Sequence, residues 1–140
     1  MDLNDPVVSL LVTDDAAIQE LNRTWRQQDK PTDVLSFPAF EASKLPDNPP
    51  HLGDIIISAP TAKRMAQSGE HRRRVAIELD HRPDALDWSV GDEIAFLFIH
   101  GLLHLVGYDH QTETEQSQMK AMESRLWTLM TSDAPCPGTT

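Results

Sequence analysis

Two histidines spaced four residues apart are the residues in this sequence best suited to chemistry. The segment HGLLHLVGYDH covers residues 100–110, and on a helix His100 and His104 project from one face, where both can reach the same ion. Gly107 permits a helix-ending turn with positive φ, which would bring His110 back to the same point. Three neutral imidazoles with an open fourth position form a zinc site of the catalytic type. The spacing therefore predicts one zinc ion per chain, held by His100, His104 and His110.

This segment has two other interpretations. His100 and His104 can instead be hydrogen-bonded core residues, with His110 on the surface, but a shared metal ion satisfies two buried histidines at once and is favoured. The spacing HxxxHxxGxxH is also that of metzincin peptidases, which place a glutamate directly after the first histidine as general base. Here that position is Gly101, which cannot accept a proton, so a peptidase is disfavoured.

The elements that must position the histidines are predicted from periodicity and capping. The run EIAFLFIHGLLHLV from residue 93 is apolar on nearly all sides, which indicates a helix buried in the middle of the domain. Strands are expected at 7–12 (a buried one), 34–37, 53–58 and 74–79, with helices after Asp14 or Asp15, after Ser58 and after Thr112. These elements predict an α+β fold: a small mixed sheet of about four strands packed with helices, whose central buried helix carries the histidines.

Length and composition limit the classes of protein to consider. The chain has 140 residues, a formal net charge of −10 and a pI near 4.8, which suit one small acidic domain over residues 1–140. Its single cysteine, Cys136, excludes an intramolecular disulfide and lies in a tail, 131–140, that we expect to be frayed. No window is apolar enough for a membrane span, so we expect a cytoplasmic protein.

The net charge is distributed unevenly along the chain. Residues 23–74 hold nine basic and six acidic residues, whereas both flanking segments are strongly acidic. Charges more than roughly 10 Å apart are screened at ordinary salt, so a polyanion can meet the basic segment without feeling the whole charge of the molecule. A solvated surface of mixed charge is an equally good interpretation from charge alone.

Several motifs together resemble those of one family. HGLLHLVGYDH resembles the signature of the YbeY family of endoribonucleases and ribosomal RNA maturation factors, and LNRTWR at 21–26, DKPTDVLSFP at 29–38 and LGDIIIS at 52–58 match it in order. The resemblance implies an α+β fold, a zinc ion bound by the three histidines and metal-dependent cleavage of single-stranded RNA. It also implies action on small-subunit ribosomal RNA, including maturation of its 3′ end, and a part in ribosome quality control.

The resemblance assigns a functional arginine to Arg26. Arg26 lies just past the apolar face of its predicted helix and can present a planar fork to a phosphodiester, with Lys30 in the following turn as a second phosphate contact. Without the resemblance, a surface arginine packed on Trp25 would be the better interpretation. Arg26 and His100 are the residues expected to carry catalysis.

Supporting residues are predicted less specifically. Asp54 and Asp109 are candidate acceptors for imidazole N–H groups, although each can also be a turn or capping carboxylate. His71 has no spacing suited to a ligand and is expected on the solvated surface, with a place in a basic rim beside Arg72 to Arg74 as the alternative. A non-catalytic ribosome-assembly factor with a structural zinc is the second function to consider, and it would require a fourth protein ligand.

Overall fold

Sheet and helices alternate in layers in this computed structural model, which describes residues 7–40, 51–79, 87–109 and 111–131. In chain order the elements are β1 (Val8–Thr13), α1 (Asp15–Arg26), β2 (Val34–Pro38), β3 (Gly53–Ser58), α2 (Ala59–Ser68), α3 (Glu70–Glu78), α4 (Val90–Leu105) and α5 (Glu113–Thr131). His110 and residues 132–140, which include Cys136 and nearly all of the predicted tail, lie outside this description.

The sheet is mixed, as predicted, and has the strand order β1-β3-β2. β1 runs parallel to β3, with Leu11 opposite Ile56, and β2 runs antiparallel to β3, with Leu35 opposite the same residue. Among the described residues β1 pairs with β3 alone, so it is an edge strand, with Leu10 47 % and Leu11 54 % exposed. The prediction that this segment is a buried strand is therefore wrong for the described part of the chain.

The predicted fourth strand is wrong as well, because residues 74–78 belong to α3. Gly69 adopts a φ of +73° and joins the end of α2 directly to α3. Val75 and Ala76 are both buried while Ile77 is 67 % exposed, which is the pattern of a helix face and not of an alternating strand. The sheet that the structure describes consequently has three strands.

The middle layer is α4, which packs against apolar residues on both sides. One side contacts the sheet and α2 through a core of Leu52, Ile55, Ile57, Ala62, Leu97 and Leu105. The other side contacts α3 and α5 through Val75, Phe96, Ile99, Leu103, Met119 and Trp127. Burial from two sides explains why this helix is apolar nearly all round. The far face of the sheet is covered by α1, where Ile18 packs on Leu35 and Ile56.

Local capping signals fix the ends of several helices. Asp14 caps α1 by accepting from the backbone N–H of Ala17, and Ser89 and Asp92 form a capping box at the start of α4. The predicted pair of Thr112 and Glu115 is confirmed at the start of α5, where each side chain accepts the other residue's backbone N–H. None of the helices in the part of the chain described here is both long and apolar enough to cross a membrane.

Candidate active site

A polar cleft opens where the end of α1, strand β2 and the last turns of α4 meet. It has a volume of about 620 Å³. Five of the residues singled out from the sequence line it, namely Arg26, Lys30, His100, His104 and Asp109. These residues are up to 83 positions apart in the chain, between Arg26 and Asp109, so the fold gathers what the sequence leaves separate.

The two histidines face each other across one turn of α4. The Nε2 atoms of His100 and His104 are 3.1 Å apart, and both side chains are half-buried. Two nitrogens that each bind one tetrahedral zinc ion at about 2.0–2.1 Å would lie roughly 3.3 Å apart, so the observed separation suits a shared ion. Imidazole nitrogen is a ligand that zinc prefers, and the donor chemistry of this pair therefore fits the predicted metal.

The third predicted ligand, His110, lies outside the described residues. Within the ranges that are described, no group of three His, Cys, Asp or Glu side chains could hold a metal ion. The turn that leads toward residue 110 is confirmed: α4 ends at Leu105, Gly107 adopts a φ of +105°, and the N–H of Tyr108 donates to the carbonyl of Leu103 at 2.9 Å. The complete ligand set stays a prediction.

A glutamate that sequence analysis did not identify holds the other side of the His100 ring. Glu123 of α5 is 2 % exposed, and its Oε1 atom lies 3.2 Å from Nδ1 of His100. Its Oε2 atom accepts from the guanidinium of Arg74 in α3. The sequence did contain a signal, because Glu123 lies four residues after Met119 and four before Trp127, on the apolar stripe of α5, where a carboxylate needs a partner.

The surroundings of Glu123 favour its charged form. Burial raises the pKa of the carboxyl, but the hydrogen bond from His100 and the charge of Arg74 outweigh that effect. The net result is a pKa below the usual value for glutamate. Glu123 is therefore an ionised acceptor at neutral pH.

The two predicted carboxylate partners lie in different places. Asp109 lines the cleft, and its role as an acceptor stays a prediction. Asp54 does not reach the cleft, because successive side chains of β3 alternate between faces. Ile55 and Ile57 point toward α4, so Asp54 points to the opposite face of the sheet, 3.8 Å from Nε2 of His51 and exposed. The predicted role of Asp54 beside the histidines is wrong for this geometric reason. The carboxylate that does contact His100 is Glu123.

The end of α1 brings the basic residues to the cleft. Arg26 is the last residue of α1, and Gln27 leaves the helix with a φ of 56°, in the left-handed region. The buried side chain of Asn22 donates from Nδ2 to the carbonyl of Lys30 at 2.9 Å, which holds the following turn against the helix. Arg26 and Lys30 are both exposed, so they are open to a ligand in the cleft.

Gly101, the residue after the first histidine, lies on the sheet side of α4. A Cβ atom there would be 2.9 Å from Oγ of Ser36 and 3.0 Å from Cγ2 of Ile55. Ser36 also donates from Oγ to the carbonyl of Gly101 at 3.1 Å. A glutamate in the position that metzincins use would therefore clash with β2 and β3, which agrees with the case against a peptidase.

Comparison with known proteins gives consistent results. The family described as Endoribonuclease YbeY matches residues 2–131. A protein of Rhizobium etli named Endoribonuclease YbeY is 43 % identical over 121 residues, which are 86 % of this chain and 61 % of the relative. One of the same name from Moorella thermoacetica is 46 % identical over 127 residues, or 85 % of this chain and 69 % of the relative.

The solution structure of a Thermotoga maritima protein matches at 26 % identity with a TM-score of 0.43, covering 97 % of this chain and 80 % of the other. The chain spans 61 % of the length of the Rhizobium etli relative. The family match nevertheless extends over all of the described residues and includes both histidines of the cleft. On this match, the chain belongs to the YbeY family.

Proposed function

We propose that this chain is a metal-dependent endoribonuclease domain that cleaves single-stranded RNA. One observation carries the proposal: two imidazoles with facing nitrogens share a cleft with two exposed basic side chains, Arg26 and Lys30. Phosphodiester cleavage requires positive charge where negative charge develops, and a cleft of this composition supplies it. The relatives named Endoribonuclease YbeY support the same class of reaction.

Arg26 binds the phosphate in this proposal. Its guanidinium is planar and permanently charged, so it can donate two parallel hydrogen bonds to the oxygens of one phosphodiester. Lys30 contributes a point charge from the adjacent turn and binds a neighbouring phosphate of the strand. Arg26 is exposed at the C-terminal end of α1 and lines the cleft, so its guanidinium is accessible to a phosphodiester bound there.

We propose zinc as the cofactor, with His100, His104 and His110 as its ligands. When bound, zinc supplies Lewis-acid chemistry for hydrolysis. For this role, His100 and His104 must be neutral and must turn their Nε2 atoms toward the cleft, which is the orientation that the 3.1 Å separation supports.

The substrate we propose is small-subunit ribosomal RNA, with roles in 3′-end maturation and ribosome quality control in the cytoplasm. The resemblance of the motifs supports this assignment. A net charge of −10 adds a physical expectation, since binding to arbitrary RNA should be weak and should fall steeply with salt. Selectivity then depends on the cleft and on the ribosomal context of the RNA.

The test is cleavage of a ribosomal RNA fragment by metal-free and zinc-restored protein. We expect cut products from single-stranded RNA with zinc, none after chelation, and little cleavage of the same sequence in a duplex. Undiminished cleavage by metal-free protein would overturn the proposal. X-ray absorption on the loaded protein addresses the assembly-factor alternative, because four protein ligands at the zinc would favour a structural ion.

A further inference from the structure

A chain of three charged or polar groups leads from α3 to the cleft. The guanidinium of Arg74 donates to Oε2 of Glu123, and Oε1 of the same carboxylate lies 3.2 Å from Nδ1 of His100. The opposite ring atom, Nε2 of His100, is 3.1 Å from Nε2 of His104. We propose that Glu123, oriented by Arg74, is a positioning residue that keeps the proton of His100 on Nδ1 and so turns an unprotonated Nε2 toward the cleft.

The inference follows from the donors and acceptors available to each group. Arg74 has only donors and stays charged at all relevant pH values, so the carboxylate beside it is an acceptor on both oxygens. The atom of His100 that contacts Oε1 must therefore be a donor, which places the proton on Nδ1. In a neutral imidazole the other nitrogen then carries a lone pair, which is the state that a metal ion or a proton on the substrate requires.

Arg74, the first of these three groups, is itself held in place by a neighbouring aromatic ring. Its guanidinium lies 5.0 Å from the centre of the Phe96 ring, and Phe96 is 1 % exposed on α4. Glu123 has a side chain only 3 % exposed, so its charge needs the counter-charge that Arg74 supplies. Through this pair, α3 acts on the orientation of a residue in the cleft that it does not itself line.

A simple structural ion pair is the competing interpretation, and Glu123→Gln distinguishes the two. Arg74 can only donate, so it takes the amide oxygen of the glutamine and leaves the amide NH₂ group to face His100. That NH₂ group donates to Nδ1, which moves the imidazole proton to Nε2. If Glu123 positions His100, the Glu123→Gln variant should carry the imidazole proton of His100 on Nε2. If Glu123 has a structural role only, the variant should be less stable but keep that proton on Nδ1.

The control is Glu93→Gln. Glu93 is a second glutamate with no exposed surface and a contact to the Nδ1 atom of a histidine, His71, and it does not line the cleft. Its substitution removes a buried carboxylate of the same kind. It should leave the tautomer of His100 and the affinity for zinc unchanged.

The measurements are the ¹⁵N shifts of the His100 ring in the full chain, metal-free and zinc-loaded, and the dissociation constant for zinc. We expect Nδ1–H in the original protein, Nε2–H in metal-free Glu123→Gln, and a loss of zinc affinity of about 10–100-fold in that variant. If Glu123→Gln does not fold, Arg74→Met with Glu123→Met replaces the pair by apolar groups of similar length and should show both tautomers. An unchanged tautomer and unchanged zinc affinity would overturn the inference.

Because the role of Glu123 is inferred within the proposed function, neither readout uses RNA. An original protein that binds zinc with His100 in the Nδ1–H form and cleaves no RNA would contradict the proposed function alone. Suppose that the original protein cleaves RNA in a zinc-dependent way, while Glu123→Gln keeps the original His100 tautomer and zinc affinity. That result would contradict the positioning role alone.

Discussion

Two buried glutamates each contact the Nδ1 atom of a histidine in the layer between α3, α4 and α5. Oε2 of Glu93 lies 2.5 Å from Nδ1 of His71, and Oε1 of Glu123 lies 3.2 Å from Nδ1 of His100. Both carboxylates are almost completely buried, with 0 % and 2 % exposure. The same pair of residue types thus occurs twice around one helix.

The partner of the second oxygen differs between the two pairs. Oε1 of Glu93 accepts from the indole N–H of Trp88 at 3.0 Å, a neutral donor. Oε2 of Glu123 accepts from the guanidinium of Arg74, a charged one. Glu93 thus joins a neutral donor to its histidine, whereas Glu123 joins a permanent charge to a residue of the cleft.

The histidines themselves lead to different surroundings. His71 packs on the ring of Phe96 at 4.7 Å, is 13 % exposed and does not line the cleft. It is half-buried and packed inside the domain, not on the solvated surface, contrary to the prediction. His100 is 25 % exposed and turns its second nitrogen toward His104 in the cleft. One Glu–His pair therefore lies within the packed interior and the other borders the cleft, depending on where the ring points.

The largest loss of RNA cleavage should follow from removing His100, the histidine of the Glu123–His100 pair, which lines the cleft. We expect His100→Ala to lower RNA cleavage by about 1,000-fold or more, because several kcal/mol of transition-state stabilisation depend on the site. His71→Ala should lower stability and leave the rate per folded molecule nearly unchanged. Cleavage rates and zinc content of both purified variants check this, and equal losses in the two would contradict the distinction.

The pair of Glu93 and His71, which does not line the cleft, should affect stability and not RNA cleavage. Glu93→Gln replaces a buried carboxyl that contacts both His71 and Trp88, and we expect the free energy of unfolding to fall by about 2 kcal/mol. Denaturant unfolding measures the change, and cleavage at 25 °C should stay within about twofold because Glu93 is not part of the cleft. A loss of cleavage matching that of His100→Ala would place this pair in the site as well.

Two glycines of α4 lie in different surroundings: Gly101 packs against the sheet, whereas Gly91 is exposed. Gly101→Ala should lower the free energy of unfolding by about 1–2 kcal/mol, because its Cβ would be 2.9 Å from Oγ of Ser36. Gly91→Ala, which is exposed and whose Cβ would be 3.5 Å from Oγ of Ser89, should raise it by about 0.5–1 kcal/mol. Thermal or denaturant unfolding measures both, and the same sign for the two would show that close packing does not decide the effect.

The smallest expected decrease in the free energy of unfolding comes from Asp15, a partly exposed carboxylate. Hydrogen bonds from Ser58, Thr61 and Arg64 lower the pKa of Asp15 to about 2, from its usual value of 3.8. Stabilisation from this group is present above about pH 4 and is lost as the pH falls toward 2, since the unfolded chain binds the proton first.

Asp15→Asn should therefore lower the free energy of unfolding at pH 7 by about 1 kcal/mol, after allowance for solvent screening. The difference from the original protein should shrink between pH 4 and pH 2. Denaturant curves at pH 7, 4 and 2.5 measure it. A difference that is independent of pH would contradict this account of Asp15.

Local signals in the sequence were sufficient for much of the fold. Ser58 and Gly69 bound α2 as predicted, and the apolar run around the two histidines forms the central helix. The segment at 74–79 was assigned wrongly because a short run such as VAIEL fits both periods, and the packing of Val75 on Phe96 decides for the helix. The edge position of β1 depends on strand order, which local patterns do not contain.

The candidate site was predictable in part for the same reason. Spacing along one helix identified His100 and His104, because four residues make just over one turn. Glu123 and Arg74 come from two other helices, and their contact with His100 depends on how α3 and α5 pack. Asp54 was expected beside the histidines from its place at the mouth of a strand, and the alternation of β3 directs it to the other face of the sheet.

The proposed function requires that Arg26 and the paired histidines act together on one phosphodiester in the cleft. Its most direct test is the cleavage rate of a single-stranded ribosomal RNA fragment by zinc-loaded Arg26→Glu, with Lys63→Glu as a control for charge on an exposed residue outside the cleft. We expect Arg26→Glu to bind one zinc ion and to lose cleavage by about 100-fold or more, while Lys63→Glu cleaves like the original protein. Full cleavage by zinc-loaded Arg26→Glu would contradict the claim.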